Sequence, residues 1–409
     1  MKEFIRHFRT HFVHYLIFSI VVFFVLFSHV YSDFLATQRH GITFWTALFD
    51  GHPLRFYEYC MPGGPGYHYG GGVVSQGEAS CAYDFTFYLF FAIWNFPLWL
   101  IEQFFHINTQ AYIPFIVWGK LMMLAALLGC GSLFVRCYHL LMEEKAHPDE
   151  SQQSSLWLDD SGLYLMLISS LFFTAYSLTS ANYDILNTFF MLLGLYLFMK
   201  NRRWGFIAAF AVSASLKYFG ILLFVPLLLL KEKNVLKILR DTVLMLSLSV
   251  LEKIIFTTSS VSSLQETSGG YFLGLVQNAS LGGTISFLGI GNVSLFFILI
   301  AGICLYAYAT PKENVSAQQA VYISAACWIA FCFFIPLNPY WMVLVTPFLL
   351  LVALTGSDRP GLLLLLELIF TVTFYLAYSI KVPHVISGYN CLGMLLYYLL
   401  TVPILGGNW

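Results

Sequence analysis

Apolar residues in this chain gather into long blocks, and most of the blocks have the length of a membrane crossing rather than the alternation of a half-buried strand. Taken in order, the blocks predict helices near 12–31, 113–142, 160–180, 185–199, 204–217, 219–230, 235–256, 288–310, 318–336, 340–355, 361–380 and 388–405. Charge collects in the short breaks between them, as in "KNRR" at 200–203 and "KEK" at 231–233. The pattern therefore predicts an all-α polytopic membrane protein with about twelve transmembrane helices, forming one integral membrane domain over 1–409.

Composition agrees. Of the 409 residues, 59% are apolar and 10% charged, with mean hydropathy +0.75, whereas soluble domains carry about 25% charged residues. The net charge of −1 says nothing about nucleic acid, but long basic patches are absent, so no nucleic-acid partner is expected. The first apolar run lacks a small-residue cleavage site and reads as a retained signal anchor.

Basic residues set the orientation. With both termini cytoplasmic, Lys2, Arg6, Arg9, Arg136, Lys145, Lys200, Arg202, Arg203, Lys231, Lys233, Lys237, Arg240, Lys312 and Arg359 fall inside, fourteen of the twenty Lys and Arg. Arg39, Arg55, Lys120, Lys217, Lys253 and Lys381 are left on the outer side, each needing a reason to be there. The segment 83–105, "YDFTFYLFFAIWNFPLWLIEQFF", is apolar enough to cross, but a crossing there would put "KNRR" and "KEK" outside. It is read instead as an interfacial or re-entrant helix within a long external loop, 32–112, its Trp94 and Trp99 suited to the headgroup depth. Residues 143–159 form a cytoplasmic loop.

Candidate chemistry concentrates in that external loop, since loops of such length are usually functional. Asp33 stands where the first helix leaves the bilayer, followed by Asp50, Glu58, Glu78, Asp84 and Glu102 with His40, His52 and His68. Carboxylates and imidazoles at a membrane face are ingredients for proton transfer. No histidine or carboxylate spacing marks a metal site, so none is expected. The run "GGPGYHYGGG" lacks the phosphate-loop lysine and reads as a turning loop. Cys60 and Cys81 flank it, and a disulfide between them would close it.

Charges inside spans are costly, about 2.5–3.5 kcal/mol each on insertion scales, and so are kept near an edge or for a purpose. Lys120, Asp184, Lys217, Glu252 and Lys253 map to the outer end of their helices, and Lys381 and His384 to an outer loop, "IKVPHVIS". Lysines there can hold a lipid phosphate, and a carboxylate can take the proton of a hydroxyl nucleophile. Together they describe group transfer from a phospholipid-like donor to an alcohol. No D-x-D motif is present for a metal-held nucleotide sugar.

Several stretches carry a family resemblance. They are "YSDF" at 31–34, "LFDGHPLRFYEY" at 48–59, "VWGKLMMLAAL" at 117–127, the block 180–233 with its "ASLK", and "NPYWMVLVTPFLL" at 338–350. The chain resembles the GT-C glycosyltransferases, polytopic enzymes that use polyprenyl-phosphate sugars. Within them it is most similar to the bacterial mannosyltransferases related to the mycobacterial phosphatidylinositol-mannoside enzymes, and more distantly to the catalytic subunit of GPI mannosyltransferase I. It departs from the pattern at Tyr218, where a proline is usual, at Pro339, where a glutamine is usual, and in the glycine-rich insertion at 60–81.

The resemblance implies a mechanism. Asp33 acts as base on the acceptor hydroxyl, with Asp50 the second choice. Lys217, then Lys120, Lys381 and Arg55, hold the leaving phosphate. Asp84, Asp184, His68, Tyr340 and His384 contact sugar or acceptor. Donor and acceptor are then a polyprenyl-phosphate sugar, mannose by default, and a lipid or glycan hydroxyl, with no cofactor. The short loops favour a bacterial cell membrane with the site on its outer face. Two alternatives stand beside this. A transporter or flippase would also use scattered intramembrane charges, but no paired halves or matching broken helices are found. A scaffold subunit of an envelope-polymer machine is the other, which nothing excludes and against which an acid at Asp33 argues mildly.

Overall fold

The computed structural model describes residues 29–30, 32–61, 64–65, 81, 83–109, 113–145, 159–170, 183–256, 284–286, 292–335, 341–356 and 389–390, with isolated positions in 12–26 and 362–369. Among the described residues there are twelve α-helices and two minimal antiparallel ladders. The helices are α1 (Ser32–Phe49), α2 (Phe56–Cys60), α3 (Phe85–Phe105), α4 (Ile113–Lys145), α5 (Asp160–Ser169), α6 (Asp184–Met199), α7 (Arg203–Leu216), α8 (Phe219–Lys231), α9 (Val235–Ile255), α10 (Leu295–Ala309), α11 (Ala317–Phe334) and α12 (Met342–Gly356). Strand β1 (His29–Val30) pairs with β4 (Tyr389–Asn390), and β2 (Thr284–Ser286) with β3 (Asn292–Ser294).

The helices from α4 to α12 form an antiparallel bundle. Helix α6 packs on α4 and α7, α7 on α9, α8 on α10 and α11, and α12 closes against α11, α4 and α6. Local signals set several starts. Asn234 caps α9 by accepting from the Lys237 amide, and Ser316 with Gln319 forms a capping box for α11. Three helices, α3, most of α4 and α11, are long and apolar enough to cross a membrane by length and composition, and α6, α7, α8, α10 and α12 are shorter apolar helices.

The antiparallel order gathers charge at two ends. At one end Arg203 donates to Asp241 and ion-pairs Glu232, Arg240 also donates to Asp241, and Lys312 lies 3.9 Å from Glu232. There Lys231 donates to Asn201 at 2.6 Å, and Glu144 of α4 accepts from the α11 amide of Ala317. The other end brings together the start of α6, the α7–α8 break and the end of α9.

Helices α1 and α3 lie against that second end. They cross at Gly41, where a Cβ would come within 2.6 Å of the Phe91 backbone, so only glycine permits the approach. Trp45 bridges the crossing by donating to the Ala92 carbonyl at 2.7 Å, and Arg39 donates to both oxygens of Glu102 at 2.7 Å. The pair also packs on the N-terminal half of α4. Gln38 donates to the Phe115 carbonyl at 2.7 Å, Trp94 to that of Trp118 at 2.9 Å, and a Cβ at Gly119 would run into the Phe34 ring. The C-terminal half of α4 belongs to the bundle, with Cys130 next to the Ile185 carbonyl at the start of α6. Part of the expected external loop 32–112 is therefore a two-helix layer. Its α3 matches the expected 83–105 helix, whereas α1 was not anticipated, because buried Gln38, His40 and Thr43 interrupt its apolar pattern.

Two expected spans change. The 288–310 helix begins only at Leu295, after the β2–β3 ladder, and the expected 388–405 helix opens with β4 at Tyr389 and Asn390. Most of the expected first span and all but isolated positions of 361–380 lie outside the described residues.

Candidate functional site

The break between α7 and α8 builds the centre of the second end. Lys217 leaves helical geometry (φ −159°, ψ 143°), while its amide still donates to the Ser213 carbonyl at 3.0 Å. Asn187 of α6 clamps the break by donating to the Lys217 carbonyl at 3.3 Å and accepting from the Ser213 hydroxyl. The lysine side chain, 15% exposed, ion-pairs Asp184 in the first turn of α6. Its Nζ lies 4.9 Å from the Tyr183 ring centroid and 5.3 Å from that of Tyr83, whose hydroxyls share a 2.6 Å hydrogen bond. Asp184 is 1% exposed. The lysine charge and the helix N-terminus stabilise a carboxylate whose removal from water costs several kcal/mol.

A second group adjoins it. Asp84, at the N-cap of α3, accepts from the Ser249 hydroxyl and from Tyr218 at 3.5 Å, and Lys253 stands 3.8 Å away. Lys253 also donates to the Tyr218 hydroxyl and lies over its ring. Burial raises the Asp84 carboxyl above its usual range despite the Ser249 bond and the nearby Lys253 ammonium. Glu252 accepts from the Thr86 amide and hydroxyl and from Ser215 at 2.7 Å, so it caps α3 from another helix. Five chargeable side chains, Asp84, Asp184, Glu252, Lys217 and Lys253, thus meet from four elements, joined by tyrosine and serine hydroxyls. Such a cluster can bind an anion on its lysines and exchange protons through its hydroxyls.

Lys217, Asp184 and Asp84 are thus brought together, as the sequence suggested. Glu252 and Lys253, noted there only as outer charges, belong with them, and so do Asn187, Ser249 and Tyr218. Their signal was a Glu–Lys pair in an otherwise apolar helix end. Four of the outer basic residues turn out to have carboxylate partners: Arg39 with Glu102, Arg55 with Glu58, Lys217 with Asp184 and Lys253 with Asp84. Lys120 is fully buried in α4, next to the Gly119 that faces Phe34.

Asp33 is the second residue of α1, and its side chain lies outside the described residues, but the adjoining Phe34 ring packs 5.9 Å from Phe91, which lies 6.4 Å from Tyr183. Arg55 directly precedes α2, whose Phe56 ring lies 5.7 Å from Phe85 and whose Tyr57 hydroxyl donates to the Tyr83 carbonyl at 2.8 Å. Asp50 is exposed beyond the far end of α1, about 25 Å along the helix from Asp33, and Arg55 is exposed and paired to Glu58 at 2.6 Å. His68, Tyr340, Lys381 and His384 lie outside the described residues.

Cys60 and Cys81 are neighbours, as their flanking of the glycine run suggested, and both are free and buried. His40 completes the group, with one donor atom from each of the three within 4.8 Å of the others. Burial raises the Cys60 thiol. Burial acts the same way on Cys81, but the Cys60 hydrogen bond and the nearby His40 outweigh it and hold that thiol at about 6.

Compared with known proteins, the chain matches no protein family and no solved structure. One stretch of 54 residues, 13% of the chain, is 37% identical to photosystem II reaction center protein Z of Nostoc punctiforme and covers 86% of that protein. The likeness bears on that stretch alone.

Proposed function

We propose that the chain is an integral-membrane glycosyltransferase that moves a sugar, mannose by preference, from a polyprenyl-phosphate donor to a hydroxyl acceptor at the outer membrane face. The carrying observation is Lys217, held out of helical geometry at the α7–α8 break, partly exposed, with Asp184 and two tyrosine rings around it. An accessible lysine among buried hydroxyls suits the phosphodiester of a prenyl-linked sugar, and the phosphate monoester left after transfer, with the lipid tail remaining in the bilayer.

In this reading Asp33 takes the proton of the acceptor hydroxyl. The acceptor oxygen then bonds to the anomeric carbon from the face opposite the phosphate. The bond between that carbon and the phosphate oxygen breaks, its electron pair leaves with polyprenyl phosphate, and configuration inverts. Lys217 stabilises the charge growing on the departing phosphate, with Lys253 behind it and Lys120 at the α1–α4 seam. The Asp84 and Asp184 carboxylates orient sugar hydroxyls. Both termini are cytoplasmic and the site faces outward, consistent with the basic residues gathered at the opposite end; the membrane is a bacterial cell membrane.

The test is sugar transfer in membranes from radiolabelled polyprenyl-phosphate mannose to the cell's own lipid and glycan extract, with wild type against Asp33→Asn. Transfer by wild type and none by a folded variant is expected. No transfer from any polyprenyl-phosphate sugar would overturn the reading in favour of a transporter or flippase.

A further inference from the structure

We propose that His40, Cys60 and Cys81 form a buried zinc site that ties the α1–α3 layer together. Three separate elements supply the donors: His40 from the middle of α1, Cys60 as the last residue of α2, and Cys81 just ahead of α3. They are 4%, 1% and 3% exposed, so all three donor groups have been withdrawn from water into one small volume. The mutual separations, within 4.8 Å, accommodate one tetrahedral ion, because Zn–S and Zn–N bonds of about 2.3 and 2.0–2.1 Å put neighbouring donors roughly 3.5–4 Å apart.

Two observations favour an ion over a disulfide. Both sulfurs are free. A disulfide also uses two residues and gives no reason for a third soft donor at the same point, whereas a metal does. Charge balance selects the ion. His40 packs edge-on to the buried Tyr88 at 5.6 Å, and Tyr88 in turn packs on the rings of Phe56 and Tyr57. Two thiolates and a neutral imidazole around Zn(II) sum to zero, which suits this buried, aromatic setting. The same donors around Cu(I) would leave a buried negative charge. Zinc binds both sulfurs as thiolates, any remaining thiol proton being released as its Zn–S bond forms, with no change of oxidation state. The glycine-rich segment 61–80 is thereby closed at its base by the metal, with no covalent bridge.

The test uses the full chain purified in detergent without a histidine tag. About one zinc per chain is expected by elemental analysis, falling at least tenfold in His40→Ala, Cys60→Ser and Cys81→Ser. Both thiols should alkylate in denaturant without reductant once zinc is chelated. Cobalt exchanged into wild type should show thiolate charge-transfer and tetrahedral d–d absorption, a readout that needs no variant to fold. A metal-free protein yielding a Cys60–Cys81 linked peptide would overturn the proposal, as would zinc content unaffected by His40→Ala or cobalt lacking thiolate bands. The proposal stands or falls independently of sugar transfer.

Discussion

The two ends of the bundle both bury carboxylates, but they hold them differently. At the basic end Asp241, fully buried, receives the forked guanidiniums of Arg203 and Arg240, with contacts of 2.5–3.0 Å. Planar forks fix both partners at once, and each bidentate pair leaves few ways to rearrange. At the opposite end Asp84, Asp184 and Glu252 meet lysine ammoniums, the hydroxyls of Tyr218, Ser249, Ser215 and Thr86, and the Thr86 amide. A point charge on a flexible stem and rotatable hydroxyls can change partners when an anion arrives. The first arrangement suits anchoring, the second chemistry.

The sharpest way to break this contrast is Asp33→Asn. Transfer from polyprenyl-phosphate mannose should fall by about 10²–10⁴-fold, the usual worth of a general base, with the thermal unfolding midpoint in detergent unchanged. Equal transfer by both proteins would detach the chemistry from the α1 end altogether.

Lys217→Met comes next and should separate charge from function. It leaves Asp184 buried without its ion pair, at a cost of about 3–5 kcal/mol, and removes transfer. Adding Asp184→Asn should return most of the stability, read from denaturant unfolding, but none of the transfer. A double variant that transfers sugar would reduce Lys217 to a structural counter-ion.

The basic end should respond in the opposite sense. Arg203→Gln removes one of two forks from Asp241, and because Arg203 is 38% exposed the loss is screened to about 1–2 kcal/mol. Transfer per folded molecule should stay at the wild-type rate, and a fall of tenfold or more would erase the division of labour. The smallest effect is expected from Glu252→Gln. The amide oxygen still accepts from Thr86, so stability should drop by about 1 kcal/mol or less, with faster amide exchange in the first turn of α3.

Much of the bundle was legible because lipid-length apolar blocks end at charges. The expected 185–199 and 204–217 helices became Asp184–Met199 and Arg203–Leu216, bounded by the same "KNRR". Of the site, Lys217, Asp184 and Asp84 were legible for a similar reason, as charges at apolar helix ends. Long-range pairing was not legible. Nothing local joins Glu252 to Thr86 or His40 to Cys60, and α1 hides its helix by turning polar residues such as Gln38 and His40 towards α3 and its approaches. The short ladders escaped as well, because two or three residues carry no period.

Helix α4 has 33 residues, so at 1.5 Å per residue it is about 50 Å long, against a hydrocarbon core of about 30 Å. Its second half keeps step with the bundle while its first half stands beyond, carrying α1 and α3. In the proposed orientation the helix acts as a mast that fixes the altitude of the reaction. A lipid-borne donor then searches in two dimensions and arrives with its phosphate already at headgroup height, while an acceptor too polar to enter the bilayer approaches from above. On the proposed function, the two reactants, which share no common solvent, would meet at a level set by the length of one helix.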